Sequence, residues 1–429
     1  MVIRKFSDKY IRSIFATFLF LVLLSVLVTA VHAQTIIVPD NYAKIQWAVD
    51  NASAGDTIIV KDGTYHENVE VSIDHLTIRS GNESANCIVT VSNPHDHVFS
   101  VTSDYVNISG LTVEGASGTD QAGIYLYGAK YCNLSDNTVS KNSRDGIYLY
   151  DSWGNTLMGN TARGNGYGIY LDSSRKNILE GNTVSKNEHG IELFDSGNNR
   201  VTNNTVNSNN YSGIDMYDSS DNTLSGNTAN SNNGYGIYMR SSNDNRVTNN
   251  KVNSNKYCGI YLRSSSNYNT ITNNTANSNK GFGIYLDHSR NNRLMSNNAS
   301  KNNYGICLLS SNDNKIYNNY LNNTKNARDD GSNIWNIKKT EGTNIIGGPY
   351  LGGNYWSDYI GVDIGGDGLG DTSVPYNSSG GVATGGDYHP LIKTWKPIPP
   401  PTSKKEPGFE AVFAIIGLLT VVYLIRRMR

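Results

Sequence analysis

The sequence predicts an all-β chain wound as a parallel β-helix, three short strands to a coil, with a helix over its N-terminal end. Three observations carry that prediction. Gly-Ile occurs nine times, at Gly123, Gly146, Gly168, Gly190, Gly213, Gly236, Gly259, Gly283 and Gly305, spaced by 22 to 24 residues. Counting from each Gly, position +1 is always Ile and position +3 is always Leu or Met. Positions +9, +14 and +19 are mostly Asn, as in Asn177, Asn182 and Asn187, with short apolar stretches such as Leu179 and Val184 between them. Segments this short between Asn, Ser and Gly corners suit strands and leave no room for a helix. A leucine-rich repeat needs a longer Leu consensus, and a propeller blade needs about 40 residues.

The elements follow in order. Residues 1–33 read as a secretory leader: Arg4, Lys5, Lys9 and Arg12, an apolar run Ile14 to Val31, then Val31-His32-Ala33 as a cleavage site. Residues 34–122 open the β-helix. The stretch 43–52, "AKIQWAVDNA", is the one good amphipathic helix, placed to cover the first coil. Strand-like runs follow at 57–60, 69–71, 76–78, 98–101 and 111–113. The regular repeats fill 123–336, with Ile and Leu at +1 and +3 pointing inward because strand side chains alternate. Asn at stacked corners ladders its amides between coils and tolerates left-handed backbone. Residues 337–395 close the body, 396–407 form a Pro-rich spacer, and 408–429 hold a 15-residue apolar run, Ala411–Ile425, before Arg426, Arg427 and Arg429.

Charge narrows the partners. The chain has 36 basic and 37 acidic residues, but seven of the basic and two of the acidic ones lie in the two end segments, leaving a body of 29 against 35. A mildly acidic body argues against nucleic acid. Cys87, Cys132, Cys258 and Cys307 do not form a disulfide framework, since Cys258 and Cys307 fall about two coils apart, roughly 9–10 Å.

Two resemblances add to this reading. Pro407-Gly408-Phe409, the apolar run and the Arg cluster closely resemble the PGF sorting signal of archaeal surface proteins, which implies cleavage near that tripeptide and transfer to a lipid anchor. The run "IQWAVDNASAGDTIIVKDGTYHENV" resembles the start of pectin-lyase-like β-helix proteins. Together with the coils and "GGNYWSDYIGVDIGGDGLGDTSVPY", residues 35–392 resemble the NosD-like family of secreted β-helix proteins, named after a copper accessory protein of nitrous-oxide reductase. The resemblance implies a right-handed helix, in keeping with the general preference for right-handed crossovers. It is specific for fold and not for activity.

Four features bear on chemistry. Position +2 points outward and reads Tyr125, Tyr148, Tyr170, Glu192, Asp215, Tyr238, Tyr261, Tyr285, Cys307. A tyrosine stripe flanking two acids suits a glycan groove, with Tyr148, Tyr170, Tyr238, Tyr261 and Tyr285 as the contacts. Glu192 and Asp215, on neighbouring coils, are the candidate catalytic pair, since paired carboxylates suit glycoside hydrolysis. No Lys or Arg lies centrally to neutralise a uronate. Asp363, Asp367 and Asp371, spaced by four with glycines between, resemble a calcium loop. Asn93-Pro-His-Asp-His97 resembles the Asp-Pro-His-Asp motif of alginate epimerases with its first Asp replaced, and reads as a turn. The His residues are too scattered for a copper cluster. The residues thus favour an extracellular β-helix protein anchored in the membrane at its C-terminus, structural or in contact with envelope or extracellular polysaccharide, and not catalytic. The alternatives are a polysaccharide lyase, epimerase or hydrolase, and a copper-binding accessory protein.

Overall fold

A computed structural model describes residues 33–82 and 86–393. All but the last residue of the expected leader, the spacer and the sorting segment lie outside the described residues. The chain coils into three parallel sheets. One has thirteen strands, from Thr35–Val38 to Lys315–Tyr317. The second has twelve, from Val69–Val71 to Lys325–Asp329, and contains every Gly-Ile strand. The third has seven, from Gly63–His66 to Thr205–Asn207. It continues through single bridges Thr205–Thr228–Lys251–Thr275–Asn298 into a last three-strand piece.

Register is strict. Ile147 pairs Ile169, Tyr148 pairs Tyr170 and Leu149 pairs Leu171, one coil apart. The +1 and +3 side chains of all nine copies are fully buried, so the core is a column of Ile on Ile beside one of Leu with Met216 and Met239. The Asn corners are buried too. Asn182 shows why: its Oδ1 accepts the Asn160 backbone N–H at 2.9 Å, while its Nδ2 donates to Leu157 O at 2.8 Å and to Asn204 Oδ1 at 2.9 Å. Each buried corner amide therefore satisfies backbone that a turn would otherwise leave bare. Ser152, Ser174, Ser196, Ser219, Ser242, Ser266, Ser289 and Ser311 form a further ladder of the same kind. The exposed corner residues between them, such as Lys186 (φ 58°) and Asn203 (φ 56°), take the left-handed backbone that bends each coil.

Gly168 is glycine for space. A Cβ there would meet Val184 Cγ1 at 2.3 Å and Gly190 O at 2.8 Å. The expected ten-residue helix is shorter, Ile45–Asp50. It buries Ile45, Ala48 and Val49 against the first coil, and Glu67 accepts its first two N–H groups, from Ile45 and Gln46, at 2.9 Å each. At the other end Trp335 and Trp356 pack at a 42° tilt with ring centroids 5.3 Å apart. Asp329 accepts the Trp335 indole N–H and Asp387 that of Trp356, both at 2.8 Å. All four cysteines are free and buried.

Candidate functional site

The outer face of the twelve-strand sheet carries the stripe. The +2 residues stack in register, with ring centroids 5.1 Å apart for Tyr125–Tyr148, 5.0 Å for Tyr148–Tyr170 and 4.6 Å for Tyr261–Tyr285. Stacking at coil spacing buries what alternation alone would expose. Tyr170, Tyr238 and Tyr261 are buried, and Tyr148 and Tyr285 half-buried. They form the floor of the face. Exposed rings stand at position +4, where Tyr127 and Tyr150 stack at 5.7 Å and Phe194 is 42% exposed, and before the strands at Tyr211 and Tyr257. Of the expected contact residues Tyr148 and Tyr285 keep partial exposure while Tyr170, Tyr238 and Tyr261 are largely covered, and the exposed rings at +4 were missed.

Glu192 and Asp215 do sit side by side at the break in the stripe, and register pairs them directly. His189 joins them from the position before Gly190. Its Nδ1 lies 3.1 Å from Asp215 Oδ2 and 3.7 Å from Glu192 Oε2. Its ring is clamped between Tyr167 and Tyr211, at 4.8 and 4.7 Å and nearly parallel to both. The group is sheltered: side-chain exposure is 23% for His189, 10% for Glu192 and 2% for Asp215. Burial, then the Asp215 charge, pushes the Glu192 carboxyl up to about 7. Burial works against protonation of His189, but the hydrogen bond and charge of Asp215 outweigh it and raise the imidazole above its ordinary value.

A third acid lies two coils back in the His189 column. Register runs Asp145–Tyr167–His189. Asp145 is fully buried, neither carboxylate oxygen has a hydrogen-bond partner, and its charge partner Arg144 Nε lies 3.6 Å away. Burial pushes its carboxyl up to about 7. Reading the column before each Gly-Ile, which runs Asp145, Tyr167, His189, would have found it. Arg144 also pairs with Asp120. It borders a groove of about 290 Å³ with His97, Gln121, Tyr125, Tyr148 and Tyr150, so a guanidinium does stand beside the stripe. His97 ends the Asn93–His97 turn. Its Nδ1 accepts the Ala122 N–H at 2.9 Å and its ring stacks on Tyr125 at 4.3 Å.

The expected calcium loop takes another form. Asp363 accepts N–H groups from Gly366, Asp367 and Gly368, and Asp371 accepts those of Ile364 and Gly365. Asp367 accepts the Leu369 N–H and pairs with the Lys339 ammonium. These oxygens are spent on folding the glycine turn and on a lysine, so calcium is not supported there.

The comparisons with known proteins can now be set beside this geometry. Residues 198–361 match the family model described as periplasmic copper-binding protein (NosD), and residues 96–244 match the right handed beta helix region. Residues 406–427 match the PGF-CTERM motif. No curated protein sequence matches the chain. Among solved structures, the Azotobacter vinelandii mannuronan C-5 epimerase AlgE6 A-module is similar with a TM-score of 0.60 at 15% identity, covering 68% of this chain and 90% of that one. The Dettilon tailspike protein aligns with a TM-score of 0.57 at 16% identity over 66% of this chain and 65% of its own. A mannuronic acid specific polysaccharide family 6 lyase from human gut microbiota reaches 0.52 at 13% identity, over 70% of this chain and 82% of that one. At such identities the likeness establishes the fold alone.

The copper in the family description can be tested against the side chains present. Cuprous copper favours thiolate and thioether ligands. Burial pushes the Cys258 and Cys307 thiols up to about 12, and Met216 and Met239 lie in the core. No accessible thiolate cluster exists among the described residues, and cuprous copper does not fit. What the described residues do gather is one nitrogen and oxygen group, His189, Glu192 and Asp215. Repeat, register and end motif converge: the chain is a NosD-like right-handed parallel β-helix protein with a C-terminal PGF motif that anchors it at the cell surface.

Proposed function

We propose that this surface protein holds a polysaccharide of the envelope or the extracellular space along the outer face of its twelve-strand sheet, without cleaving it. The observation that carries the reading is the layered aromatic face. Exposed Tyr127, Tyr150 and Phe194 share this face with Tyr148, Tyr170, Tyr238, Tyr261 and Tyr285, so that most coils of the sheet bring an aromatic ring to it at position +2 or +4. A polymer of repeating rings finds a repeating apolar surface there, and hydroxyl-bearing rings suit partners that are part apolar and part wet. Arg144, at the edge of the groove, offers a planar donor fork to a carboxylate. Two of the similar folds carry mannuronan or mannuronic acid in their names, which favours an acidic polymer. Retention of the full chain on a panel of immobilised polysaccharides tests this. Tyr150→Ala with Phe194→Ala is expected to weaken retention on the bound polymer at least ~5-fold, since each truncation removes part of an aromatic contact. Retention that ignores both substitutions overturns the reading.

A second reading has its own support. Glu192, raised to about 7 beside an imidazole, has the properties of a general acid. An extracellular polysaccharide lyase, epimerase or hydrolase at Glu192 and Asp215 would release or convert product from acidic polysaccharides, and lose that activity in Glu192→Ala and Asp215→Ala.

A further inference from the structure

We infer that His189, Glu192 and Asp215 form a binding site for one divalent transition-metal cation, Zn²⁺ or Mn²⁺. The inference does not rest on the polysaccharide reading.

The argument begins with unmet demand. Asp215 is almost wholly enclosed, and its Oδ1 has no hydrogen-bond partner. Its Oδ2 meets His189 Nδ1, which also stands nearest to Glu192. Among the described residues Glu192 has no other donor for its carboxylate. Two sheltered carboxylates therefore share one ring nitrogen, which carries at most one proton. A buried, underpaired carboxylate is costly, and such groups are found paired or on metals.

Geometry comes next. Nδ1, one Glu192 oxygen and one Asp215 oxygen all lie within 4.8 Å of one another. Ligand bonds of ~2.0–2.2 Å set neighbouring donors roughly 3–3.5 Å apart. The observed 3.1 and 3.7 Å from Nδ1 lie close to that range, and the two carboxylate oxygens, within 4.8 Å of each other, would draw together on a shared ion. The orphan Oδ1 gives Asp215 the option of binding through both oxygens.

The scaffold holds the ligands in place. Glu192 and Asp215 are neighbours in the ladder of one rigid sheet. Tyr167 and Tyr211 grip the faces of the imidazole, leaving it little freedom to turn Nδ1 away from the acids. Preset ligands on strands favour a specific site over chance chelation. One imidazole with two carboxylates suits a divalent transition metal over calcium, which prefers an all-oxygen shell of six to eight ligands. Three protein ligands also leave positions for water or for an oxygen of a bound molecule.

The test uses the full chain in detergent, stripped with a chelator, with the metal alone as probe. Zn²⁺ is titrated calorimetrically, and Mn²⁺ binding is followed by its paramagnetic resonance signal. The expected result is one equivalent bound per chain. Asp215→Asn and His189→Gln are expected to weaken binding ~10–100-fold, and Glu192→Gln at least several-fold. Glu192→Gln keeps shape and volume, so it decides the matter should either other variant fold poorly, which circular dichroism reads. No saturable binding, binding unchanged in the folded variants, or Ca²⁺ binding as tightly as Zn²⁺ overturns the inference. Polysaccharide retention, run with and without chelator, separates the two proposals: retention without metal binding sinks only the metal site.

Discussion

Asn182 Nδ2 donates to Asn204 Oδ1 at 2.9 Å, and Asn160 Nδ2 donates to Asn182 Oδ1 at 3.1 Å, so three coils are stitched through one buried corner. Removing the middle amide leaves donors and acceptors on both neighbouring coils without partners. Asn182→Ala should destabilise by about 2–4 kcal/mol, since each orphaned buried group costs ~1–3 kcal/mol. The exposed corner residue Asn249, at φ 57°, gives the control. Asn249→Ala should cost about 1 kcal/mol, the strain of a left-handed non-glycine residue. Denaturant unfolding of both variants checks the contrast.

Crowding at the Gly-Ile corner makes a second prediction. A Cβ on Gly190 would stand 2.2 Å from Gly213 O and 2.5 Å from Val206 Cγ1. Backbone on the next coil cannot withdraw without breaking register. Gly190→Ala should therefore cost at least ~2 kcal/mol, at the upper part of the overpacking range. Gly181 sits at φ 65° with open space around its missing Cβ, and Gly181→Ala should cost only about 1 kcal/mol. Equal losses in the two variants would show that inter-coil space is not what selects the Gly-Ile glycine.

The raised acids tie stability to pH. Asp145, Glu192 and Asp387 all have folded values near 7, lifted first of all by burial, against ordinary values near 4. Between those limits the folded chain holds more protons than the unfolded one. The stabilisation is complete below about pH 4, declines as pH rises through 7, and then levels off. His189, also raised, is lost in the same direction. Metal-free protein should melt at a higher temperature at pH 5 than at pH 8. Asp145→Asn removes one titrating group and should flatten that dependence. A Tm that climbs from pH 5 to pH 8 in both proteins would contradict the assignment.

The C-terminal closure supplies a fourth case. Asp387 accepts the Asn354 N–H at 2.6 Å, the Trp356 indole N–H at 2.8 Å and the His389 N–H at 2.9 Å. Asn354 in turn ends one Asn ladder, taking the side chain of Asn319 at 2.9 Å. Asp387→Ala strands three buried donors and should loosen residues 340–393 by ~3–5 kcal/mol. Limited proteolysis would then cut this segment first while the regular coils resist.

Much of the fold was legible because a repeat states each constraint nine times. Ile at +1 and Leu or Met at +3 could be assigned inward, and Asn at +14 to a stacked corner, without knowing handedness, since a stacked column tolerates little variation in size. The face was legible only as a pattern. Alternation says that Tyr170 points away from the core. It does not say that Tyr148, 5.0 Å away on the preceding coil, and Tyr167 beside it at 5.1 Å will close over it. Asp145 escaped because its meaning lies two coils away, not in its own neighbourhood. His189 stands near the two acids in the sequence pattern, but its contact with Asp215, across 26 residues, is set by the neighbouring coil. Asp363 and Asp371 were misleading because carboxylates that organise a glycine turn and carboxylates that bind calcium use the same letters. Only the direction of the oxygens separates them.

Strict register has a consequence for how such a protein changes over time. Because Ile147, Ile169 and Ile191 make interchangeable contacts, a coil is a removable part. Deleting or duplicating 22 to 24 residues in phase closes the ladders again, with ~4.8 Å less or more of surface. Unequal recombination within the gene can therefore set the molecule's length in whole steps, while His189, Glu192 and Asp215 travel together on two adjacent coils as a fixed mark along the ruler.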